Sequence, residues 1–222
     1  MSQYFLKQIQ SGHVVEVTAA LDTNPSLAEY RDPQGVSALM WAVYTGQTAI
    51  RDLLLKKLAQ RGIPQDVFEA AATGNEAQLQ AILGKDASAA QEFSGDGWTA
   101  LHLAAAFGTP LSVATLIFRG ARVDAVSKNA QRNQPLHAAL ALGKNPSAIE
   151  LLLSHKADAN ATQAGGFTAI FSAATANRQD LAELLVNHGA NPRQVSDQGK
   201  TPSDFARERG HSELAAWLDG QA

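Results

Sequence analysis

The sequence contains no cysteine, and that absence removes several kinds of chemistry at once. Without thiols the chain cannot form disulfide bonds, thiolate zinc sites or a cysteine nucleophile. Long apolar runs are absent too: none approaches the roughly 20 residues that a transmembrane helix requires, and the first residues lack the apolar core of a signal peptide. A soluble cytoplasmic protein without membrane insertion is therefore expected. A periplasmic or secreted location stays open for a chain whose signal peptide has been removed.

Basic and aromatic residues are scarce as well. The 18 lysines and arginines are outnumbered by 21 acidic residues, and the densest basic cluster, Lys56-Lys57 followed by Arg61, is typical of the polar end of a helix. Proteins that bind nucleic acid usually present a basic face, so nucleic acid is not an expected partner. Aromatic residues make up 6% of the chain while alanine is abundant, a composition that favours closely packed helices over a β-sandwich.

What the chain does contain is an internal repeat. A small residue follows an alanine-rich segment seven times, at intervals of 34, 28, 34, 35, 34 and 33 residues: Gly12, Gly46, Gly74, Gly108, Gly143, Asn177 and Gly210. Upstream of it the pattern Gly-x-Thr/Ser-x-Leu recurs, as in Gly35–Leu39, Gly97–Leu101 and, ending in isoleucine, Gly166–Ile170. A period near 33 residues indicates a solenoid of stacked helical units.

Each unit has the features of two short helices. Thr99 or Thr168 lies where a helix needs an N-cap, and its hydroxyl can accept a hydrogen bond from a free backbone N–H. The alanine-rich helix that follows lets neighbouring units approach closely, and glycine or asparagine ends it where a positive φ is needed. The second helix has apolar residues at i, i+3 and i+4, as in Leu181, Leu184 and Leu185. The units therefore predict an all-α fold.

Three segments carry a family resemblance. Thr99–Ala105 (TALHLAA) and Gln134–Ala139 (QPLHAA) resemble the TPLHxAA core of ankyrin repeats, and Gly120–Ala125 resembles the Gly-Ala-x-Val-Asn-Ala ending of that repeat. The resemblance covers nearly the whole chain, and Asn24–Leu27 and Leu39–Ala42 are similar to small bacterial arrays. It implies an all-α ankyrin repeat solenoid of about seven helix–turn–helix units with β-turn fingers, capped at both ends.

The expected organisation is a single domain, residues 1–222, whose units depart from the common pattern in places. Polar residues in the first and last inner helices indicate the two caps. The segment Gly62–Asp66 is too short for a β-turn finger, which predicts a gap in the row of fingers, and Arg132 replaces the usual turn glycine, which predicts a rearranged turn. The units run over residues 2–31, 32–63, 64–93, 94–127, 128–161, 162–194 and 195–222.

Motifs for catalysis or cofactor binding are weak. Gly95–Ala100 matches the loose dinucleotide fingerprint G-x-G-x-x-A, but it follows helix-like sequence at a turn of the repeat, whereas the fingerprint requires a preceding β-strand. No two of the six histidines are spaced i, i+4, so a shared metal site is not expected. The family resemblance implies instead that His102 and His137 link adjacent turns by hydrogen bonds. No catalytic residue, metal or cofactor is assigned, and the protein is not expected to be an enzyme.

The resemblance also implies a concave groove, lined by the finger tips and the exposed side of the first helices, where partner proteins bind. The partner-binding positions predicted from it are Gln34, Val36, Tyr44, Thr45, Asp96, Trp98, Phe107, Gln131, Asn133, Leu142, Phe167, Thr175 and Lys200. The large apolar residues among them are predicted to form an aromatic strip that consists of Trp98, Phe107, Phe167 and Leu142, with Tyr44 apart from these across the gap. Exposed apolar patches of this kind mark binding sites. Packing of Phe107 and Leu142 under the neighbouring finger is the alternative. Trp41 and Trp217 are assigned to the core and to the carboxy-terminal cap.

These observations predict a non-enzymatic protein-binding module that holds one partner in its concave groove. A narrower hypothesis makes it an inhibitor or immunity-type protein that blocks a partner enzyme such as a hydrolase. An adaptor or scaffold without inhibitory effect fits the sequence equally well. A binder of small molecules would need a pocket of converging polar groups, which the sequence does not indicate. The free protein is expected to be a monomer, with a self-associating scaffold as the alternative.

Overall fold

The computed structural model of the protein describes residues 2–143 and 145–221. In this part of the chain fourteen helices follow one another as seven pairs, and the extended backbone forms only isolated bridges. The helices are α1 Ser2–Gln10, α2 Val14–Thr23, α3 Ala38–Tyr44, α4 Thr48–Gln60, α5 Val67–Thr73, α6 Glu76–Lys85, α7 Ala100–Phe107, α8 Pro110–Phe118, α9 Pro135–Ala138, α10 Pro146–Ser154, α11 Ala169–Thr175, α12 Gln179–Asn187, α13 Pro202–Glu208 and α14 Ser212–Asp219. Short 3₁₀ turns, Pro25–Glu29 and Ala87–Gln91, follow α2 and α6. The predicted all-α solenoid of helix pairs is confirmed.

The pair formed by α7 and α8 shows why these segments are helical. Thr99 caps α7, since its hydroxyl accepts from the His102 backbone N–H at 3.4 Å while the His102 imidazole accepts from the Thr99 N–H at 3.3 Å. Every residue from Ala100 to Ala106 is buried, because α7 packs against α5, α8 and α9. Its alanines allow these close approaches, which larger side chains would prevent.

Five β-turn fingers project from the described chain, at residues 31–37, 93–99, 127–133, 163–167 and 196–200. In each finger a backbone hydrogen bond of 2.8–2.9 Å joins the two arms, as from Ser127 N–H to Asn133 O. Further backbone bonds connect adjacent tips: Lys128 N–H to Gly97 O at 2.9 Å, Ala164 N–H to Gln131 O at 2.9 Å and Asp197 N–H to Gly165 O at 3.0 Å. The last four fingers therefore form a continuous hydrogen-bonded row.

The connection between α4 and α5 has no finger, as the sequence predicts. The chain turns back on α4, where the Ile63 N–H donates to Leu58 O at 3.0 Å, and α5 begins only four residues later. The fingers on either side close the resulting gap by direct contact. Gly95 lies so near Gln34 that a Cβ atom on it would be 1.6 Å from the Gln34 carbonyl oxygen. Only glycine fits at this contact.

Arg132 occupies the turn position that glycine holds in other fingers, and it adopts a similar backbone conformation. Its φ is 49°, compared with 85° at Gly35, 86° at Gly97 and 74° at Gly199. An L-residue in this left-handed region is strained by about 1–2 kcal/mol. The third finger is nevertheless rearranged, as predicted. The backbone bond that closes it joins Ser127 N–H to Asn133 O, six residues further on, whereas the bond that closes every other finger spans four residues.

The buried side chains form two large clusters that meet at the joint between α4 and α5. One spans α1 to α4 and the other spans α5 to α14. Arg31 crosses this joint, where its guanidinium pairs with Asp66 at 2.8 Å and Glu69 at 3.2 Å. A third, small cluster connects the two halves beneath the first two fingers and consists of Val36, Met40, Ala72 and Leu103.

Helix α9 widens into a π-helical turn over Ala139–Gly143. This turn adds no residue to the repeat, since Gly143 lies nine positions after the N-cap Gln134, as Gly108 lies nine positions after the N-cap Thr99. Such turns are rare and frequently lie at functional sites. Leu142 is 50% exposed in this turn, so a large apolar side chain remains at the surface of the inner face.

Candidate functional site

The largest group of predicted partner-binding residues meets in one cavity on the inner face, called here the aromatic groove. Its volume is about 250 Å³, and all but one of its lining residues, Trp41, are predicted positions. They come from the first two fingers, from α3 and α7, and from the π-helical turn, so the cavity joins three of the seven units. The aromatic groove is lined by Gln34, Val36, Trp41, Tyr44, Asp96, Trp98, Phe107 and Leu142.

Tyr44 is held in the aromatic groove from the far side of the gap. Its hydroxyl donates to Asp96 Oδ2 at 2.7 Å, and the centroid of its ring lies 5.5 Å from that of Phe107. Burial raises the pKa of the Tyr44 hydroxyl, and the charge of Asp96 raises it further, so the phenol stays protonated and remains a donor. The expectation that the gap leaves Tyr44 apart from the other rings is wrong, because the two flanking fingers touch and bring the ends of α3 and α7 together.

Trp41 packs against two of the core clusters, as predicted, but it also forms a wall of the aromatic groove, from which the prediction excluded it. It is half-buried, and its ring meets that of Tyr44 edge to face with centroids 6.1 Å apart. The indole Nε1–H donates to Asp32 Oδ2 at 2.9 Å. Asp32 Oδ1 accepts from the backbone N–H groups of Gln34 at 2.9 Å and Val36 at 3.0 Å. One carboxylate therefore fixes both the first finger and the indole.

Trp98 lies half-buried at the second finger, where its ring packs edge-on against the His102 imidazole with centroids 5.4 Å apart. His102 is fully buried, and burial lowers its pKa to about 4. Because Nδ1 accepts from the Thr99 N–H, the proton lies on Nε2, which donates to Asn133 O of the next unit at 3.0 Å. Trp98 thus rests on a neutral imidazole that joins two units.

His137 repeats this arrangement one unit further on. Its Nδ1 accepts from the Gln134 N–H at 3.2 Å, and its Nε2 donates to Ala161 O at 2.9 Å. Burial lowers the pKa of His137 as well. Both imidazoles are buried and hydrogen-bonded at both nitrogens, so they connect units and are not exposed in the groove.

Phe167 lies in a second cavity of about 410 Å³, called here the Phe167 pocket. Three rings, Phe167, Phe171 and Phe205, pack edge to face with centroids 5.3–5.6 Å apart. The predicted single strip is therefore two sites, divided at the π-helical turn, since Leu142 faces the aromatic groove while the two residues before it line this pocket. The Phe167 pocket is lined by Leu140, Ala141, Gln163, Phe167, Phe171, Ser172, Thr175, Ala176, Phe205 and Arg209.

The remaining predicted positions lie outside the two cavities or below the surface. Lys200 is half-buried, where its Nζ pairs with Glu208 at 2.6 Å, and Gln131 is exposed at the third finger. The Thr45 hydroxyl donates to Trp41 O at 2.8 Å at the end of α3. Val36 and Asn133 are each only 5% exposed. The assignment of Asn133 to the binding surface is therefore corrected, because its backbone closes the third finger and its side chain is buried.

Thr168 occupies the N-cap position of α11 but makes no side-chain capping bond. Its hydroxyl is buried and has no hydrogen-bond partner among the described residues. The backbone N–H of Phe171, three residues on, donates to the Thr168 carbonyl oxygen at 3.1 Å instead. In α7 the residue three positions after the N-cap is His102, whose ring completes the capping box. In α11 the corresponding residue is Phe171, whose ring has no polar atom. The expectation that both threonines accept a capping bond therefore holds for Thr99 alone.

The two cavities differ in the charged groups that line them. Asp96 is the charged residue of the aromatic groove, and Arg209 is that of the Phe167 pocket. In residues 2–143 and 145–221, no group of three or more His, Cys, Asp or Glu side chains is placed to hold a metal ion. No helix in the same ranges is long and apolar enough to cross a membrane.

Comparison with known families agrees with the stacked helix pairs, the fingers and the buried imidazoles. The family model for ankyrin repeats (three copies) matches residues 67–163 and 137–220, well over half of the chain. The chain belongs to the ankyrin repeat family. Ankyrin repeats generally mediate protein–protein interaction, and the inner face of this ankyrin repeat protein carries its two aromatic cavities.

Several curated ankyrin repeat proteins are similar to parts of this one. The B-cell lymphoma 3 protein homolog of Mus musculus is 34% identical over 134 residues, which cover 59% of this chain and 30% of that protein. The ankyrin repeat protein YahD of Escherichia coli is 37% identical over 78 residues, 32% of this chain and 39% of YahD. SAT10 of Stachybotrys chartarum, an ankyrin repeat domain-containing protein, is 27% identical over 181 residues, 81% of this chain and 9% of SAT10. This chain therefore spans well under half the length of each relative.

Sequence reasoning missed three features of the site, and one of them had a signal. Trp41 and Tyr44 are spaced i, i+3 in α3 and so share a helix face, which places Trp41 beside the groove. The π-helical turn had no signal in the repeat spacing, since Gly143 is as far from its N-cap Gln134 as Gly108 is from Thr99. The packing of Phe171 and Phe205 against Phe167 had no signal, since it depends on how two neighbouring units stack.

Proposed function

We propose that this ankyrin repeat protein is a non-enzymatic binding module that holds a partner protein along its inner face. The observation that carries the proposal is the aromatic groove, in which four rings from the second finger and two helices surround a cavity of about 250 Å³. Leu142 stands half-exposed at its edge. Aromatic side chains in well-packed pockets contribute most of the binding energy of protein interfaces, so this groove is the anchor of the proposed contact.

The Phe167 pocket extends the proposed interface beyond the π-helical turn. Its floor of three packed rings offers a second apolar contact, and Thr175 lies at its wall. Gln34, Gln131 and Lys200, at the fingers, provide the polar rim that surrounds the apolar centre of most interfaces. A partner segment that follows the inner helices would touch both cavities.

Inhibition of a partner enzyme is the narrower form of this proposal. When a partner enzyme such as a hydrolase binds in the groove, this chain can cover the active site of that enzyme. In an adaptor, the partner would bind in the same groove with its active site left open. The activity of the partner enzyme, measured after saturation with this chain, separates the two. Loss of activity supports an inhibitor or immunity-type protein, and undiminished activity supports an adaptor. We place this interaction in the cytoplasm, with the chain as a monomer before binding.

Two leucines allow a matched test of the binding face. Leu142 is 50% exposed in the aromatic groove, and Leu111 is 58% exposed on the outer helix α8. In affinity purification from a native lysate, proteins captured by the wild type should be lost with Leu142→Lys and retained with Leu111→Lys, because only the first substitution puts a charged side chain into the groove. Circular dichroism verifies that both variants fold. Equal capture by the two variants would place the binding face elsewhere.

A further inference from the structure

The unpaired charge around the aromatic groove is negative. The Asp96 carboxylate lies in its wall, and a second carboxylate, Asp32, bonds to the Trp41 indole. Neither takes part in an ion pair within residues 2–143 and 145–221. Arg31, on the same finger as Asp32, is already paired with Asp66 and Glu69. Negative charge therefore adjoins the groove without a compensating cation.

Neutral donors fix both carboxylates in place. Asp96 Oδ2 accepts from the Tyr44 hydroxyl at 2.7 Å, and its Oδ1 accepts from the Ser94 hydroxyl at 2.6 Å. Asp32 accepts from the indole and from two backbone N–H groups. Hydrogen bonds of this kind orient a carboxylate without cancelling its charge, so each remains able to attract a cation.

The rings of the aromatic groove form an environment that can bind an organic cation. The faces of aromatic rings carry partial negative charge and attract ammonium and guanidinium groups. Tyr44 stands at 83° to Trp41 and at 47° to Phe107, so these three rings line the cavity in different orientations. Trp98 adds a fourth ring from the second finger. Rings in several orientations beside a carboxylate can contact a cation on more than one side.

We infer that the aromatic groove binds a lysine or arginine side chain, which the partner protein inserts among these rings beside Asp96. This inference rests on the proposed function and adds the chemistry of the partner. The Phe167 pocket provides the contrast, since its charged residue is Arg209 and the Lys200 ammonium lies 5.8 Å from the centre of the Phe205 ring. A second cation is disfavoured there, so the partner's cation is directed to the aromatic groove.

Choline and its uncharged isostere 3,3-dimethylbutan-1-ol test the inference on the full chain. The protein has three tryptophans, and each gives one indole N–H signal in a ¹H–¹⁵N spectrum. Choline should shift the signals of Trp41 and Trp98 and leave that of Trp217, in α14 far along the chain, unchanged. The neutral isostere should bind about ten-fold more weakly, the difference expected for a desolvated cation over aromatic rings. Shifts that are equal for the two probes, or absent for both, would overturn the inference.

Two variants separate the charge from the rings. Asp96→Asn keeps an acceptor for Tyr44 but removes the charge, and it should reduce the preference for choline over the isostere several-fold. Phe107→Leu should weaken choline binding, whereas Phe118→Leu, at a ring 87% exposed on the outer helix α8, should not. Full choline preference in Asp96→Asn contradicts the role of the carboxylate.

The partner-capture test separates this inference from the proposed function. If Leu142→Lys abolishes partner capture while choline and its isostere bind alike, the inference fails and the proposed function stands. If choline binds as expected while Leu142→Lys captures partners normally, the proposed function fails.

Discussion

The Tyr44 hydroxyl donates to Asp96 Oδ2 over 2.7 Å, and the two residues belong to units that are separated by a third. The unit between them, formed by α5 and α6, is preceded by no finger, so the first and second fingers lie next to each other. The bond therefore ties the two sides of the gap together. It also sets the orientation of a ring that lines the aromatic groove.

Tyr44→Phe should lower the free energy of unfolding by about 1.5–3 kcal/mol, the contribution of a hydrogen bond to a charged group. The ring contact with Phe107 is retained, so the loss reports on the hydroxyl. Urea denaturation measures it. Tyr4→Phe is the control, because Tyr4 is 64% exposed and surface substitutions change stability by less than about 0.5 kcal/mol. A Tyr44 variant as stable as the Tyr4 variant would show that the bond contributes nothing across the gap.

Arg132→Gly should stabilise the protein. The arginine adopts a φ of 49°, and relief of about 1–2 kcal/mol of strain exceeds the entropic cost of glycine, about 0.5–1 kcal/mol. The reciprocal variant Gly199→Arg should destabilise by a similar net amount, since Gly199 has a φ of 74° and open space around its Cα. Thermal unfolding of both variants checks the sign. Destabilisation by Arg132→Gly would mean that the arginine side chain stabilises the finger.

Acid should destabilise the protein through His102. Burial lowers the pKa of His102 from 6.5 to about 4, so the folded state favours the neutral imidazole. The stabilisation is fully present above pH 6.5 and is lost as the pH falls from 6.5 towards 4. With about 1.4 kcal/mol for each pKa unit, the loss reaches about 3 kcal/mol.

The difference between the wild type and His102→Gln isolates this effect from the other buried groups. His137, whose pKa burial also lowers, contributes a slope of the same sign in both proteins. Glu69 acts in the opposite sense, because burial raises its pKa. Urea denaturation between pH 7 and 4 should therefore give a shallower pH dependence for His102→Gln. Identical slopes for the two proteins would exclude a buried neutral imidazole at this position.

Thr99→Val and Thr168→Val should differ although both residues occupy N-caps. The Thr99 hydroxyl accepts from the His102 N–H, so its loss should cost about 1 kcal/mol or more. The Thr168 hydroxyl is buried without a partner, so an isosteric methyl group should change the free energy of unfolding by less than about 0.5 kcal/mol or stabilise the protein. Chemical denaturation ranks the two variants. A larger loss at Thr168 would contradict the absence of a capping bond.

The helix pairs follow from local sequence because caps, alanines and turn glycines each specify backbone conformation within a few residues. Thr99, His102 and the following alanines illustrate this, since the capping box closes within three residues. Arg132 follows such reasoning only in part. The finger that carries it is two residues longer than its neighbours, as a changed turn predicts, but the arginine still adopts the positive φ that glycine has in other fingers.

The site depends on contacts between units, which the repeat period does not encode. The positions of Tyr44, Trp98 and Phe107 on the inner face follow from the repeat pattern, and their meeting in one cavity follows only from the closed gap. Phe167 instead packs against the inner helix of its own unit and that of the next one. Partner-binding roles for all these residues remain predictions that the variants above address.

Three inner helices, α3, α5 and α7, follow one another in the stack, but fingers precede only α3 and α7. These two fingers touch at Gln34 and Gly95. The finger edge of this part of the array is therefore shorter than its helical edge. The unit formed by α5 and α6 contributes no residue to the lining of the aromatic groove, yet α5 packs against both α3 and α7, which carry three of its rings. A substitution in α5 that changes this packing would therefore alter the shape of the aromatic groove from outside it.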